Sequence, residues 1–283
     1  MQRFDWFVLS SSFSVALFTG LLAALATAFA PSEAEAQIAV LSSTVEEKVA
    51  APGERYTGII IISNPGTESK VARIYQTDYR FAADGKSYFE EPGSTPRSNA
   101  SWVTPQSTRI VIPAGTDVRV PWTVAVPAID SLRGTYWSTV MVEAEPGDGL
   151  SAVERSRGAP AMAVSAVIRY AVQVATHIQS TGTRGVKFES PRASTSAQGT
   201  AALDLDVVDA GERGYRPILW AEIYDDAGAL RAQARQSRGL LFPGTSLHQH
   251  FDLGALPPGR YKALVFADTG EDTVFAAQYT VSY

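Results

Sequence analysis

The sequence predicts an all-β protein with two β-sandwich domains in tandem, on three observations. The first is alternation with period two. Val118, Val120, Trp122, Val124 and Val126 alternate with Arg119, Pro121, Thr123 and Ala125, and Leu203, Leu205 and Val207 alternate with Asp204 and Asp206. Such a pattern sends one set of side chains into a core and the other into solvent. The second is punctuation: Asn64-Pro65-Gly66, Asp84-Gly85, Pro113-Ala114-Gly115, Asp225-Asp226-Ala227-Gly228, Pro243-Gly244 and Pro257-Pro258-Gly259 break the chain into short strands. The third is an echo between the halves. Pro113-Ala114-Gly115-Thr116 opens a strand and Gly134-Thr135-Tyr136 the next; Pro243-Gly244-Thr245 and Gly259-Arg260-Tyr261 do the same later. Unrelated sandwiches share this grammar too, so the echo argues for two domains without settling a duplication.

Before the strands comes a segment with a different composition. From Trp6 to Ser32 there is no charged residue, Arg3 lies near the start, and Val15–Ala30 is strongly apolar. Ala34-Glu35-Ala36 then places small residues at −3 and −1 of a cleavage site. Residues 1–36 are therefore expected to be a signal peptide, with Gln37 as the new N-terminus. The competing reading is an uncleaved anchor, since the apolar run is long enough to span a bilayer. The first domain is expected over residues 37–178 and the second over 179–283. Their boundary lies in the small, polar run Gln179–Gly185, where few contacts should cross. Pro146–Pro160, rich in Gly and Pro, reads as a long loop within the first domain.

Composition narrows the function. Cysteine is absent, which excludes disulfides, thiolate nucleophiles and cysteine-based metal sites. Loss of Arg3, Asp5, Glu33 and Glu35 with the leader moves the formal charge from −5 to −3. A mildly acidic, mixed-charge chain offers no basic footprint for nucleic acid and no polybasic cluster for lipid.

No nucleophile elbow, phosphate loop, dinucleotide fingerprint or zinc-protease helix occurs, and no pair of acids stands out for acid–base work. The expectation is a protein that is not an enzyme and takes no cofactor. His248 and His250 would share one face of a strand within reach of a common metal, but zinc needs three or four ligands and no others can be assigned. An exposed polar face is the plainer reading, and no metal is expected. Asp204, Asp206 and Asp209, like Asp268, Glu271 and Asp272, could gather as oxygen ligands, yet neither spacing matches a calcium loop. Asn99-Ala100-Ser101 is a glycosylation acceptor by pattern alone. His177, ending a strand beside the boundary, is expected to be structural. Exposed aromatics on one face would mark a carbohydrate binder, with Trp102, Trp122, Trp137 and Trp220 the residues to check.

Met162–Thr176 is the most informative segment. Val164, Ala166, Ile168, Tyr170, Val172 and Val174 form one face, and the other is apolar in part. Such a strand is either central to a sheet or an edge that buries a face against a partner. Around it, Gln37-Ile38-Ala39-Val40, Ile59–Gly66, Trp102-Val103-Thr104-Pro105, Ile112-Pro113-Ala114-Gly115, Thr135-Tyr136-Trp137 with Val140-Met141-Val142, and Ala166–Tyr170 follow in an order and spacing that resembles the PapD-like periplasmic pilus-assembly chaperones. The resemblance spans roughly residues 37–178.

It implies two immunoglobulin-like domains, a periplasmic location, and a first domain that lends its last strand to an incomplete, secreted pilin-like or envelope subunit by strand addition. The implied partner-binding residues are Val164, Ala166, Ile168, Arg169, Tyr170, Val172 and Val174, with Arg169 as an anchor for the subunit's C-terminal carboxylate. The first-strand cation of that family has no counterpart, since Leu41-Ser42-Ser43-Thr44 stand there and Lys48 is the nearest cation. The alternative is a structural or adhesive module of the cell envelope.

Overall fold

The computed structural model describes residues 38–145, 168–271 and 273–283, all within one compact unit, Gln37–Tyr283. The expected leader and the loop 146–160 lie outside the described residues. The chain runs through β1 (Ala39–Val40), β2 (Val45–Ala50), β3 (Arg55–Asn64), β4 (Lys70–Phe81), β5 (Ser87–Glu90), β6 (Val103–Pro105), β7 (Arg109–Ile112), β8 (Thr116–Ala125), β9 (Thr135–Ala144) and β10 (Arg169–Ile178). It continues through β11 (Val186–Thr195), β12 (Thr200–Asp209), β13 (Ile218–Tyr224), β14 (Leu230–Ser237), β15 (Ser246–Ala255), β16 (Arg260–Asp268) and β17 (Val274–Ser282).

These strands make two immunoglobulin-like β-sandwiches in tandem. In the first, a sheet ordered β1-β3-β8-β6 faces one ordered β2-β10-β9-β4-β5, with β7 also against β4. In the second, β11-β12-β15 faces β14-β13-β16-β17. Every named pairing is antiparallel except that of β2 with β10, which is parallel.

The alternation read from the sequence sets which faces meet. Val120, Trp122 and Val124 of β8 pack with Ile60, Ile62, Ile74, Val140, Val142, Val172 and Val174 in one core. Leu203, Leu205 and Val207 pack with Leu219, Ile223, Phe251 and Val265 in another. The echo has a topological meaning: both copies lead from a strand of one sheet (β8, β15) into a strand of the facing sheet (β9, β16).

The first strand is split. Leu41 N–H donates to the carbonyl of Ile61 at 2.9 Å, continuing the β1 pairing, and Gln173 N–H donates to the carbonyl of Thr44 at 2.8 Å, starting the β2 pairing. Within those four residues the chain leaves one sheet for the other. Two serines cover the crossing: Ser42 Oγ accepts Ile61 N–H, and Ser43 Oγ bonds both the N–H and the carbonyl of Val45.

A third cluster joins the sandwiches. The ring of Trp137 on β9 stacks on Phe242, which precedes β15, with centroids 4.7 Å apart and planes 4° apart. Ala175, Leu240, Val45, Tyr79 and Phe81 surround them. Trp137 Nε1 donates to the carbonyl of Tyr79 at 2.6 Å, so burial leaves no polar atom of the indole unpaired.

The run Gln179–Gly185, expected to carry few contacts, is instead closely held. Arg213 Nη1 donates to the carbonyls of Ile178 and Thr181 at 3.0 and 3.1 Å. Thr135 N–H donates to Glu212 O at 2.8 Å, and Glu212 N–H to Thr183 O at 2.7 Å. The backbones approach so closely that only glycine fits. Gly134 has φ +71°, and a Cβ there would lie 1.9 Å from Glu212 O. Gly134→Ala should therefore cost about 3 kcal/mol or more, combining a left-handed backbone with an unrelieved clash. Gly85→Ala, also at positive φ but with nothing within 4 Å, should cost only about 1 kcal/mol. Urea denaturation midpoints of the two variants check the difference.

Candidate functional site

β10 differs along its length. Its register with β9 runs from Arg169↔Glu143 to His177↔Thr135, whereas β2 accompanies it only from Gln173↔Val45 to Ile178↔Ala50. Gln173 N–H points to the β2 side, so by alternation the N–H and C=O of Arg169 and Ala171 point the same way. Among the described residues no strand pairs with those groups. The strand is thus central at its C-terminal half and an edge at Arg169–Val172.

The side chains anticipated as partner-binding fall into three groups. Val164 and Ala166 lie outside the described residues. Val172 and Val174 are fully buried in the first core, and Tyr170 is half-buried, its O–H donating to the carbonyl of Ile38 at 3.1 Å. Ile168 is 45% exposed and Arg169 stands in solvent. The Arg169 guanidinium is already matched: its Nε lies 3.1 Å from Glu143 Oε2, an oxygen that also accepts Tyr75 O–H at 2.7 Å.

The outward face of β10 continues through Gln173 and Ala175 to His177. Gln173 lines a cleft with Val45, Tyr79, Phe81, Leu240 and Leu247, and the cleft's cations are Arg216 and Arg238 of the second sandwich. No sequence signal singles out these two arginines, because the packing of one sandwich on the other brings them to β10. Arg216 Nε donates to Glu47 Oε1 at 3.0 Å, and His177 Nε2 lies 3.4 Å from Glu47 Oε2. The hydrogen bond with His177 holds the Glu47 carboxyl below its usual range, against the opposing effect of burial and with help from Arg216.

An ionised Glu47 only accepts, so Nε2 of His177 is the donor to it, and Nδ1 shares a second hydrogen bond with Thr135 Oγ1, 2.7 Å away. Thr135 Oγ1 in turn accepts Gly214 N–H at 2.8 Å. His177 therefore ties β9, β10, β2 and the second sandwich together.

The other residues singled out find structural uses. Asn99, the glycosylation pattern residue, is fully buried. Its Nδ2 donates to the carbonyl of Val174 and to Thr176 Oγ1 at 3.1 and 3.0 Å, and its Oδ1 accepts Ser138 O–H at 2.6 Å. Nothing is left of that amide for a sugar. Trp102, Trp122 and Trp137 are buried. Trp220 is half-buried, its ring flanked by Phe266 at 4.9 Å and by the Arg235 guanidinium at 5.1 Å.

His248 and His250 stand directly across from Asp206 and Asp204 in the β12–β15 register. His248 Nδ1 lies 2.9 Å from Asp206, and His250 Nδ1 lies 2.7 Å from Asp204. The hydrogen bond with Asp206 raises the His248 pKa, burial opposes it, and Asp204 adds to the rise. Among the described residues no group of three such side chains is arranged to hold a metal ion. Asp272 is outside the described residues.

Asp209 does not join the other two acids. It is 1% exposed, its Oδ1 accepts Gly211 N–H at 2.8 Å, and its Oδ2 has no partner among the described residues. Burial pushes its pKa up to about 7, outweighing the Gly211 bond and the more distant Arg97 and Arg184.

Comparison with known proteins gives structural likeness alone. No family model matches the chain, and no curated protein matches it in sequence. It is similar to solved structures of fimbrial chaperones. One, from a chaperone–tip adhesin complex of CFA/I fimbriae biogenesis, is 12% identical and covers 87% of this chain and 98% of its own, with a TM-score of 0.44. The class 5 fimbriae chaperone CfaA is 13% identical, covering 86% and 98%, with a TM-score of 0.43. The CsuC–CsuE chaperone–tip adhesion subunit pre-assembly complex of Acinetobacter baumannii gives the same four values.

The buried Asp209 gives a pH dependence of definite sign. Its folded pKa lies above its unfolded value, so its stabilising contribution is complete below about pH 4 and is lost as the pH rises through about 7. Asp209→Asn should abolish this fall. Denaturation midpoints measured across that window should decline for the native protein relative to the variant, and parallel profiles would contradict the assignment.

Proposed function

We propose that the chain is a divergent PapD-like chaperone, exported and cleaved after Ala36, whose domains 37–178 and 179–283 present an edge of β10 to an extended segment of a secreted or surface-assembled subunit. The observation that carries this reading is the split first strand. It covers β10 from Gln173 onward and leaves the main-chain groups of Arg169 and Ala171 without a strand partner among the described residues. Backbone groups of this kind supply affinity to an added strand, and flanking side chains supply selectivity.

On this reading the seven residues have unequal roles. Ile168 and the segment bearing Val164 and Ala166 meet the subunit, whereas Tyr170, Val172 and Val174 fix the strand from its core side. Arg169, matched by Glu143, is a poor carboxylate anchor. Arg238, which lines the cleft beside Gln173 about 13 Å along the strand from it, is better placed for an acidic chain end, because Arg216 is itself paired with Glu47.

The experiment is affinity purification of the protein from its native envelope, compared with two variants. Ala171→Pro removes an N–H that points away from β9, and Ile168→Asp charges an exposed position. Both should keep the far-UV circular dichroism of the native protein and lose a stoichiometric β-rich partner. Val172→Asp should unfold the first sandwich outright, since it buries a charge in the core. Retention of the partner by Ala171→Pro would remove strand addition at this edge, and a native protein purifying alone would favour a structural module.

A further inference from the structure

The last strand of the second sandwich is an edge of another kind. β17 pairs with β16 over nine consecutive residues, Val274↔Asp268 to Ser282↔Arg260, without a register shift. Just beyond, Tyr283 and Gly259 exchange both of their N–H···O bonds at 3.0 and 3.1 Å. Alternation from that reciprocal pair points the odd-numbered residues of β17 toward β16. The N–H and C=O groups of Val274, Ala276, Gln278, Thr280 and Ser282 therefore point to the open side. Among the described residues no strand pairs there.

What sets β17 apart is chemistry. From Val274 to Tyr283 there is no charge and no proline. Natural edge strands are blunted by shortness, charge, proline or bulges, and the other edges here follow that rule. β1 has two residues, and β6 has three, ending in Pro105. β2 carries Glu46, Glu47 and Lys48; β5 carries Glu90 and β7 Arg109; β14 carries Arg231 and Arg235. β11 has Lys187, Glu189, Pro191 and an irregular register, and β15 has two histidines, Asp252 and an irregular register.

We infer that β17 is an interaction edge whose occupant is a second copy of this chain. The strand pairs antiparallel with itself about a two-fold axis at Gln278, making the β14-β13-β16-β17 sheet continuous across the dimer. That axis sets Val274 opposite Ser282, Ala276 opposite Thr280, and Gln278 opposite its own copy, so every open donor faces an open acceptor. No like charges oppose each other, which is the condition that self-pairing of β14, with two arginines, fails to meet. The small Ala276 and Thr280 leave room beside the two Gln278 amides, which lie on the solvent-facing side and within mutual hydrogen-bonding reach. This inference does not rest on the role proposed for β10, which lies in the other sandwich.

The test uses the absence of cysteine. In Gln278→Cys the new thiols would meet across the axis at a separation that a disulfide spans. Mild oxidation should give a covalent dimer, and Val111→Cys, at an exposed position of β7, should give far less. Sedimentation velocity at tens of micromolar should show a dimer for the native protein. Gln278→Lys with Thr280→Lys should weaken it at least tenfold, with an unchanged melting temperature because both side chains are exposed. A native protein that stays monomeric, a dimer indifferent to the two lysines, or cross-linking no faster than Val111→Cys would each overturn the inference.

Discussion

The crossing of the first strand at Leu41–Thr44 is the constraint on which the first sandwich depends. A strand that stayed with β3 would leave the whole of β10 as an edge, and one that joined β10 throughout would leave β3 bare. Buried backbone groups must be paired, so the chain divides its bonds between the sheets and uses Ser42 and Ser43 to satisfy the groups at the crossing. The division fixes which half of β10 is interior. Because β2 joins at Gln173, the side chains beyond it toward the joint are sealed on all sides, while at the opposite end the main-chain groups of Arg169 and Ala171 have no strand partner among the described residues. The edge is thus a consequence of how the sandwich satisfies its own hydrogen bonds.

The same strand carries that end of the molecule into a rigid joint. Trp137 and Phe242 contribute the apolar part, and the chain Gly214–Thr135–His177–Glu47–Arg216 contributes the directional part. A hydrophobic stack alone tolerates sliding, whereas a file of hydrogen bonds across three strands and the loop before β13 does not. Gly134 and Gly182 bring the backbones close enough for both to form. Arg216 is held by Glu47 rather than free to sweep the cleft, so its charge is presented at a fixed height beside Gln173.

Much of the fold was legible because the signals were local. Period two in β8 and β12, and the Pro/Gly turns, needed only neighbours in sequence. A boundary near Gln179 was expected from composition, but composition says nothing of approach distance, and the run is held by Glu212 and Arg213. Asn99 carried a correct pattern with the wrong meaning, since its amide is consumed by Val174, Thr176 and Ser138, far away in the chain. Asp204 and Asp206 could not be matched with His250 and His248 without the β12–β15 register, and Asp209 could not be separated from them without knowing that its strand was ending. For β10, the sequence posed the alternative of interior strand or edge; among the described residues each holds for a different stretch, and the dividing point at Gln173 is set by β2.

Among the described residues, the edges at β10 and β17 both have open backbone groups, and they are protected differently. Among the described residues the β10 edge is short, bears Arg169, and abuts Glu143, which neutralises it; an incoming strand there has two residues' worth of main chain to engage before β2 blocks the way. Its selectivity must come from side chains around it, including those flanking it in sequence. β17 has the opposite balance: nine residues in unbroken register, with neither charge nor proline, so that main-chain pairing dominates and side chains discriminate little. An edge of that kind is tolerated in a folded protein only if something regularly covers it, because otherwise it recruits any extended chain. Covering it with its own copy needs no other component and, by closing on a two-fold axis, ends the assembly at two.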